Sequence, residues 1–267
     1  MRVILAFDSF KDSMTSLEAA EAFAKGFRKG FGPVTFRRFA VSDGGEGFAT
    51  ALLRVKGGQK IKAMVKDPLG RMLASSYGWI AAEKTAVVEM AAASGLELLR
   101  KNERNPLNTT TFGTGQLIGA ALEKGAKKII IGLGGSATCD GGLGMAQALG
   151  VRFFGRRDRM LPSPATGREI ARLRRIDLTG LSPHLQGASF FAACDVNNPM
   201  TGNNGSAVVY GPQKGATPTA VRRLNLGLKN FCRVVYKDLR KEIDPIPGAG
   251  AAGGLGGGLC AFLNATL

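Results

Sequence analysis

The chain has 267 residues, of which 45% are hydrophobic and 21% are charged, and this length can bury a substantial core. Its 36 lysine and arginine residues outnumber its 20 acidic residues, which gives a net charge of +16. The basic residues are scattered, and no zinc-finger spacing or aromatic RNA-binding motif accompanies them, so we expect no nucleic-acid partner. No run approaches the roughly 18 apolar residues that a membrane-spanning helix needs, so we expect no membrane partner either.

The cysteine and histidine content argues against several kinds of site. The four cysteines, Cys139, Cys194, Cys232 and Cys260, are widely spaced and form no CxxC pair, which disfavours a zinc site or a disulfide scaffold. We therefore expect a cytoplasmic protein with reduced thiols. The single histidine, His184, lies in a predicted turn, so a Ser-His-Asp triad and a histidine-ligated metal are both disfavoured.

The first 41 residues show the strand–helix–strand pattern that is typical of a doubly wound α/β sheet. Residues 2–7 and 34–41 are the strand candidates, and both are rich in apolar side chains. Between them, Thr15 and Glu18 have the spacing of a capping box at the start of a helix.

Polar side chains follow both of these strands at their carboxyl ends, where sheets of this class bind ligands. The residues that follow the first strand are Asp8, Ser9 and Lys11, and those that follow the second are Asp43, Gly44, Gly45 and Glu46. A lysine in such a place can supply charge to a phosphate or a carboxylate. The alternative for Asp43 and Glu46 is that they cap the next helix, predicted over residues 48–55.

The pattern changes after Gly57 and Gly58, which predicts a domain boundary there. Further elements are predicted as strands at 61–66, 72–80, 85–90 and 127–131, and as a helix at 116–124. The hydroxyl-rich segment 105–112 precedes that helix, and it can either bind an anion or form an ordinary strand and helix cap.

A glycine turn joins the strand at 127–131 to a small-residue helix at 143–149. Gly134, Gly135, Ser136 and Thr138 offer backbone N–H groups and hydroxyls, and Asp140 adds a carboxylate. Because glycines let N–H groups approach an anion closely, this pattern is typical of phosphate and metal binding. The alternative is a tight strand-to-helix turn, for which the glycines alone suffice.

Two further segments have the character of a ligand site. A buried strand over 190–194 ends in Asp195 and Asn197, which suits a ligand-facing strand end or an ordinary turn. Gln213 and Lys214 lie between proline and glycine, which favours a fixed polar clamp. An amphipathic helix is predicted at 219–239, and the chain closes in an apolar helix for which the sequence shows no packing partner.

Seven segments in chain order give the sequence its most specific pattern: Asp8-Ser9-Phe10-Lys11, Asp43-Gly44-Gly45-Glu46-Gly47, Glu89-Met90-Ala91-Ala92-Ala93-Ser94-Gly95-Leu96, Gly134-Gly135-Ser136-Ala137-Thr138 with Asp140-Gly141-Gly142, Ala193-Cys194-Asp195-Val196, Gly211-Pro212-Gln213-Lys214-Gly215-Ala216 and Pro247-Gly248-Ala249-Gly250-Ala251-Ala252-Gly253-Gly254. In order and spacing they resemble the glycerate kinase type 1 family of bacterial glycerate 2-kinases, across essentially the whole chain.

The resemblance implies an ATP-dependent kinase that phosphorylates D-glycerate, on the 2-hydroxyl rather than the 3-hydroxyl, with Mg²⁺. It also implies two three-layer α/β domains, a Rossmann-like domain formed by both chain ends and a second α/β domain inserted into it. We accordingly assign residues 1–58 to the Rossmann-like domain. Residues 59–267 are assigned to the inserted domain, with the last of them leading back to the first domain.

Two features depart from the family's pattern. The family usually has asparagine where this chain has Cys139, so one polar contact beside Asp140 is expected to differ. Family members also continue past the position of Leu267, so we expect the Rossmann-like domain to be incomplete here. The alternative function is therefore a catalytically inactive, truncated family member that binds an anion or a partner through a basic surface.

The resemblance and the chemistry of phosphoryl transfer suggest a role for each candidate residue. Transfer needs positioning, neutralisation of charge and a carboxylate beside the attacking hydroxyl. The candidate catalytic residues are Asp8 or Asp195 as base or metal carboxylate, with Lys11 and Lys214 as cations. The candidate Mg²⁺ ligands are Asp43, Glu46 and Asp140, since this ion prefers a few carboxylates and waters. The candidate substrate- and nucleotide-binding residues are Ser9, Gly44, Gly45, Gly134, Gly135, Ser136, Thr138, Asn197 and Gln213.

Overall fold

Helices and strands alternate along the computed structural model, which describes residues 1–8, 10, 13–41, 44–45 and 47–267, and the predicted α/β class is confirmed. The strands are β1 (Arg2–Phe7), β2 (Thr35–Ala40), β3 (Gln59–Lys66), β4 (Met72–Ile80), β5 (Thr85–Glu89), β6 (Lys128–Gly132), β7 (Arg152–Phe154), β8 (Arg175–Asp177) and β9 (Ser189–Ala193). The α-helices are α1 (Ser16–Phe31), α2 (Phe48–Lys56), α3 (Ala91–Ser94), α4 (Phe112–Glu123), α5 (Leu143–Ala148), α6 (Ser206–Tyr210), α7 (Pro218–Leu239) and α8 (Ala251–Leu263).

The N-terminal strand–helix–strand unit forms as its sequence predicts. β1 and β2 pair in parallel, and α1 covers one face of the pair by packing Ala20 and Ala24 against Leu5. The capping box is present, because the Thr15 hydroxyl accepts from the N–H of Glu18 while the Glu18 carboxylate accepts from the N–H of Thr15 at 2.8 Å. Both orphan donors at the start of α1 are thereby satisfied.

A five-stranded mixed sheet in the order β3-β4-β5-β6-β9 forms the centre of the molecule. β3, β4 and β5 pair antiparallel, whereas β5, β6 and β9 run parallel. In the parallel part, Glu89 lies opposite Gly132, and Gly132 lies opposite Ala193. The carboxyl ends of three strands therefore meet at one edge, and the segments that follow them are brought together there.

Helix α2 packs on this central sheet although it precedes the predicted domain boundary at residue 58. Its residues Ala49 and Leu53 form a buried cluster with Ile80 and Val87. The N–H of Ala49 also donates to the Glu89 carboxylate at 2.7 Å, so the end of β5 holds the start of the helix. The boundary between residues 58 and 59 stays a prediction, and the contacts of α2 cross it.

The main hydrophobic core lies between the central sheet and the helices that follow it. Nearly every residue of α8 is buried in this core, where the ring of Phe262 lies 5.7 Å from that of Phe153 and 6.1 Å from that of Phe231. The expectation that the C-terminal apolar helix lacks a partner is therefore wrong, because α8 packs against α5, α6, α7 and β9. Within the described part of the chain, no helix is both long enough and apolar enough to cross a bilayer.

The aromatic contact between α7 and α8 gives a test of this packing. Phe231 is fully buried, so Phe231→Ala removes a large apolar side chain and leaves a cavity. We expect the free energy of unfolding in urea to fall by about 3–5 kcal/mol. Tyr236→Ala on the same helix is the control, because Tyr236 is 56% exposed. Equal losses in the two variants would contradict the placement of α8.

Candidate active site

A cavity of about 380 Å³ lies at the sheet edge where the parallel strands end. Its walls come from the segments after β6 and β9, from Gly45, from the short 3-10 helix Pro212–Lys214 and from the start of α8. Such a volume is typical of small-molecule sites, which commonly lie beyond the carboxyl ends of parallel strands.

The cavity collects many of the residues that the sequence predicts for a site. The predicted residues that line it are Gly45, Gly134, Gly135, Ser136, Asp195, Gln213 and Lys214. Those that do not line it are Asp8, Gly44, Thr138, Asp140 and Asn197. Ser9, Lys11, Asp43 and Glu46 lie outside the described residues. Four distant stretches of chain thus converge on one cavity.

Lys214 is held beneath this cavity by two protein acceptors. Its Nζ donates to the Ser136 hydroxyl at 2.6 Å and to the Thr138 carbonyl at 2.8 Å. The side chain is almost fully buried, and burial lowers the pKa of Lys214 to about 8, although the nearby carboxylate of Asp140 opposes this shift. Lys214 therefore supplies a positioned, poorly solvated positive charge to one wall of the cavity.

The turn from Gly134 to Ser136 presents backbone donors to the cavity. Gly134 donates to the carbonyl of Gly44 at 3.1 Å, whereas the N–H groups of Gly135 and Ser136 have no acceptor among the described residues. Gly135 has φ +72°, a conformation that favours glycine. Adjacent N–H groups of this kind can bind an anion, which supports the phosphate-binding interpretation of this turn.

Gly44 has a packing role that its sequence context does not reveal. A Cβ atom on Gly44 would lie 2.6 Å from the carbonyl oxygen of Ala193, and one on Gly132 would lie 2.3 Å from the carbonyl oxygen of Gly44. The backbone of Gly44 therefore packs closely against the ends of β6 and β9. Gly44 shapes the cavity from behind and does not line it.

Asp140 occupies the start of helix α5. One carboxylate oxygen accepts from the N–H of Gly142, and the other accepts from the N–H of Gly144 and from the N–H and hydroxyl of Thr111, all at 2.8–3.2 Å. Asp140 is fully buried, and burial raises the pKa of its carboxyl while these hydrogen bonds oppose the shift. This geometry argues against the predicted metal-binding role, because every donor around the carboxylate belongs to the protein.

The hydroxyl-rich segment before α4 is also structural. Thr109 donates to the Ala137 carbonyl at 3.0 Å, and the Thr111 hydroxyl bonds Asp140 and accepts from the N–H of Met145. Thr109, Thr110 and Thr111 are all buried. These contacts argue against anion binding. The segment, which is described throughout, contains no strand, and Thr111 makes no side-chain hydrogen bond that caps α4, so the alternative of an ordinary strand and helix cap is not what forms either.

Cys139 lies in the core and not in the cavity. Its side chain is 1% exposed, and burial raises the pKa of its thiol to about 12. A thiol in this state behaves as a small apolar group. The side chain that departs from the family pattern therefore contributes packing beside Lys214 and Asp140.

The segment after β9 divides its polar side chains between the cavity and the protein. Asp195 lines the cavity, whereas the side chain of the adjacent Asn197 is exposed. Its neighbour Asn198 accepts from the Tyr210 hydroxyl at 2.7 Å and donates to the Asn204 carbonyl at 2.8 Å. Asn198 thus positions Tyr210, which lines the cavity and which the sequence motifs do not single out.

Two further charged residues at the cavity, Glu97 and Arg104, are absent from the predicted site. Both lie in the connection between α3 and α4, where short turns replace the regular patterns that sequence analysis uses. The only signal for Arg104 is its place directly before the turn Asn105-Pro106, and such a basic residue usually lies on a solvated surface.

Among the described residues, no group of three or more histidine, cysteine, aspartate or glutamate side chains is arranged to hold a metal ion. Two carboxylates, Glu97 and Asp195, nevertheless line the cavity. Mg²⁺ is commonly held by one or two protein carboxylates together with substrate phosphates and water. The cavity therefore offers carboxylate ligands of the kind that a phosphate-bound Mg²⁺ uses, although its described residues do not form a complete set of metal ligands by themselves.

Comparison with known proteins gives consistent matches over the whole chain. The model of the glycerate kinase family matches residues 3–267. A glycerate kinase of Halalkalibacterium halodurans is 48% identical over 265 residues, which are 99% of this chain and 69% of that protein. The glycerate 2-kinase of Escherichia coli strain K12 is 44% identical, with 100% of this chain and 70% of that protein covered.

A solved structure shares the fold as well as the sequence. The crystal structure of a protein assigned as glycerate kinase 2 from Salmonella typhimurium LT2 matches with a TM-score of 0.85 and 41% identity, covering 100% of this chain and 71% of that chain. This chain thus spans about 70% of the length of the relatives that it matches. On the family model, the sequence identities and the shared fold, the chain belongs to the glycerate kinase family.

Proposed function

We propose that this chain transfers the terminal phosphoryl group of ATP to the 2-hydroxyl of D-glycerate in the cavity at the carboxyl edge of the central sheet. Family membership makes the chain an enzyme that phosphorylates glycerate. The observation that carries the assignment to this cavity is the convergence of Lys214, the Gly134–Ser136 turn and Asp195 on one site of about 380 Å³. These are a cation, anion-binding donors and a carboxylate, which phosphoryl transfer requires together.

The charge of the moving phosphoryl group is stabilised by the wall that contains Lys214. The backbone of the turn fixes the N–H groups of Gly135 and Ser136. The ammonium of Lys214 is fixed by its two acceptors, the Ser136 hydroxyl and the Thr138 carbonyl. Donors fixed before the reaction stabilise developing charge without reorganising during it. We assign the phosphate groups of the nucleotide to this wall.

The carboxylate of Asp195 orients the attacking hydroxyl of glycerate and accepts its proton. Asp195 follows β9 by two residues and lines the cavity. Asp8, the other candidate base, follows β1 and does not line the cavity. We therefore assign the base to Asp195.

Mg²⁺ would neutralise phosphate charge in this site. Because Asp195 is assigned as the base, the carboxylate that would hold Mg²⁺ is that of Glu97, which also lines the cavity. Asp43 and Glu46 stay predicted ligands, and Lys11 and Ser9 stay predicted phosphate or substrate contacts, outside the described residues. Gln213 lines the cavity beside Lys214 and is kept as a contact to substrate.

The alternative of a non-catalytic anion- or partner-binding protein draws no support from the Halalkalibacterium halodurans and Escherichia coli relatives, which are named as kinases. A cytoplasmic location stays a prediction.

The activity is tested by ADP release from ATP and Mg²⁺ with D-glycerate on this 267-residue chain, and we expect turnover only with glycerate present. Phosphorus NMR of the product, with coupling to the single C2 proton, identifies the phosphorylated hydroxyl. ADP release that is independent of glycerate would contradict the proposal.

The low pKa of Lys214 gives the reaction a pH signature. Because Lys214 loses its proton near pH 8 in the free chain, we expect kcat/KM to fall as the pH rises through about 8. Lys214→Arg should slow turnover and remove this alkaline limb, since arginine stays protonated. Lys237→Arg, an exposed change on α7, is the control. An unchanged alkaline limb in Lys214→Arg would show that another group titrates.

The base assigned to the site is tested by Asp195→Asn. The substitution keeps the shape of the side chain and removes its capacity to accept a proton, so we expect kcat to fall at least about 100-fold. The exposed Asp195 should contribute less than about 0.5 kcal/mol to stability, so urea unfolding should be unchanged. Glu242→Gln, at an exposed carboxylate outside the cavity, is the matched control for activity. A near-normal kcat in Asp195→Asn would contradict the assignment of Asp195 and favour Asp8 as the base.

Asp140 should show the opposite behaviour, with a structural effect first. In Asp140→Asn, an NH₂ group replaces an acceptor among four donors, so at least one buried N–H group is left without a partner. We expect the free energy of unfolding to fall by about 2–4 kcal/mol. A metal ligand would behave differently. Unchanged stability together with a raised Mg²⁺ requirement would restore the predicted metal-binding role.

A further inference from the structure

Arg104 brings to the cavity a second cation that neither the sequence motifs nor the proposed reaction uses. The residue lines the cavity beside Gln213 and Lys214. Its Nε atom is buried and has no hydrogen-bond partner among the described residues. A buried donor on a group that stays charged at every physiological pH is normally satisfied, so this one is available to an acceptor that a ligand brings.

The backbone around Arg104 is held on two sides. The preceding residue, Glu103, accepts from Arg71 at 2.7 Å, and Arg71 also bonds the buried Asp67. On the other side, Gly215 has φ +87°, and a Cβ atom there would lie 2.1 Å from the carbonyl oxygen of Arg104. The guanidinium is therefore presented by a fixed segment that packs on the turn containing Lys214.

Lys214 cannot serve alone as the anion site of this cavity. Its ammonium group has three N–H donors, and two of them are directed to Ser136 and Thr138. One donor at most remains for a ligand. A substrate that carries its own carboxylate needs a further partner, and Arg104 is the other cation among the described residues that line the cavity.

We propose that Arg104 binds the carboxylate of the three-carbon hydroxy acid and thereby selects acidic acceptors over neutral polyols. This assignment rests on the proposed function of the cavity. The Nε and terminal N–H groups on one edge of a guanidinium are coplanar and match the two oxygens of a carboxylate. The N–H groups of Gly135 and Ser136, which have no acceptor among the described residues, supply the donors for phosphate.

Arginine could also bind a nucleotide phosphate, and steady-state kinetics separate the two sources of negative charge. For Arg104→Gln we expect the KM for D-glycerate to rise about tenfold to a hundredfold while the KM for ATP changes less than about twofold. Arg104→Lys should recover only part of the loss, because an ammonium cannot form the paired contact. Arg100→Gln is the matched control, because Arg100 is exposed in the same connection and lies outside the cavity.

Glycerol gives a direct measure of selection, since it lacks the carboxylate. The ratio of kcat/KM for D-glycerate to that for glycerol should fall in Arg104→Gln and stay at the wild-type value in Arg100→Gln. A rise in the KM for ATP alone, or an unchanged ratio, would overturn the assignment. If Arg104→Gln does not fold, Arg104→Lys carries the same comparison.

Calorimetric titration of the chain with D-glycerate provides a readout that does not need turnover. Glycerate binding that Arg104→Gln loses and Arg100→Gln retains supports the assignment even if the wild-type chain releases no ADP, an outcome that contradicts the proposed function alone. Turnover by the wild type with unchanged glycerate affinity in Arg104→Gln overturns the role of Arg104 alone. A wild-type chain that neither binds glycerate nor turns over overturns both.

Discussion

The buried carboxylate of Asp140 is the interaction on which the geometry of the site depends. It joins the segment before α4 to the first turn of α5 through Thr111, Gly142 and Gly144. A carboxylate removed from water is stable only when donors surround it, and here the donors come from two elements that are distant in sequence. The turn that precedes Asp140 is fixed as a result, and this turn contains the Ser136 and Thr138 oxygens that hold Lys214.

The same arrangement explains why the helix end after the glycine turn is not the anion site. The N-terminal N–H groups of a helix favour negative charge, and in α5 that charge is supplied by Asp140 itself. The N–H groups of Gly135 and Ser136, which precede Asp140 in the chain, have no acceptor among the described residues, and the proposed function assigns phosphate to them. Asp140 thus occupies the N-terminus of α5 and also fixes the turn that contains the proposed phosphate donors.

Close backbone contacts at glycine residues connect the cavity walls to the surrounding elements of the fold. A Cβ atom on Gly253, which has φ +74°, would lie 1.9 Å from the Thr138 carbonyl oxygen, an acceptor for Lys214. The first turn of α8 therefore rests on the group that holds the lysine. Gly215 makes the equivalent contact with Arg104. The glycine clusters in the sequence mark these contacts more than they mark flexible turns.

Local patterns predicted much of this structure because they depend on neighbouring residues. The capping box at Thr15 and the strands of the central sheet follow from such patterns. The glycine turn after β6 pointed to Ser136, the strand end to Asp195, and the place between proline and glycine to Lys214, and all three line the cavity. The role of Asp140 could not be predicted, since a carboxylate after glycines has the same sequence signature whether it faces a metal ion or backbone N–H groups. The burial of α8 and the place of Arg104 depend on contacts across more than 50 residues, which no local pattern contains.

The positive charges of this protein act over two distances: the surface charges attract anions from solution, and the buried cations interact with groups inside the cavity. A net charge of +16 spread over the chain attracts anions such as ATP and glycerate, but salt screens this attraction beyond about 8 Å at physiological ionic strength. Lys214 and the Nε of Arg104 are desolvated, so salt screens them far less. Burial disfavours the charged form of Lys214, and a bound anion reverses that preference. On the proposed function, the surface charge therefore governs the encounter with anionic ligands. The charged forms of the cavity cations would be stabilised by binding these ligands, which links ligand binding to the stability of the site.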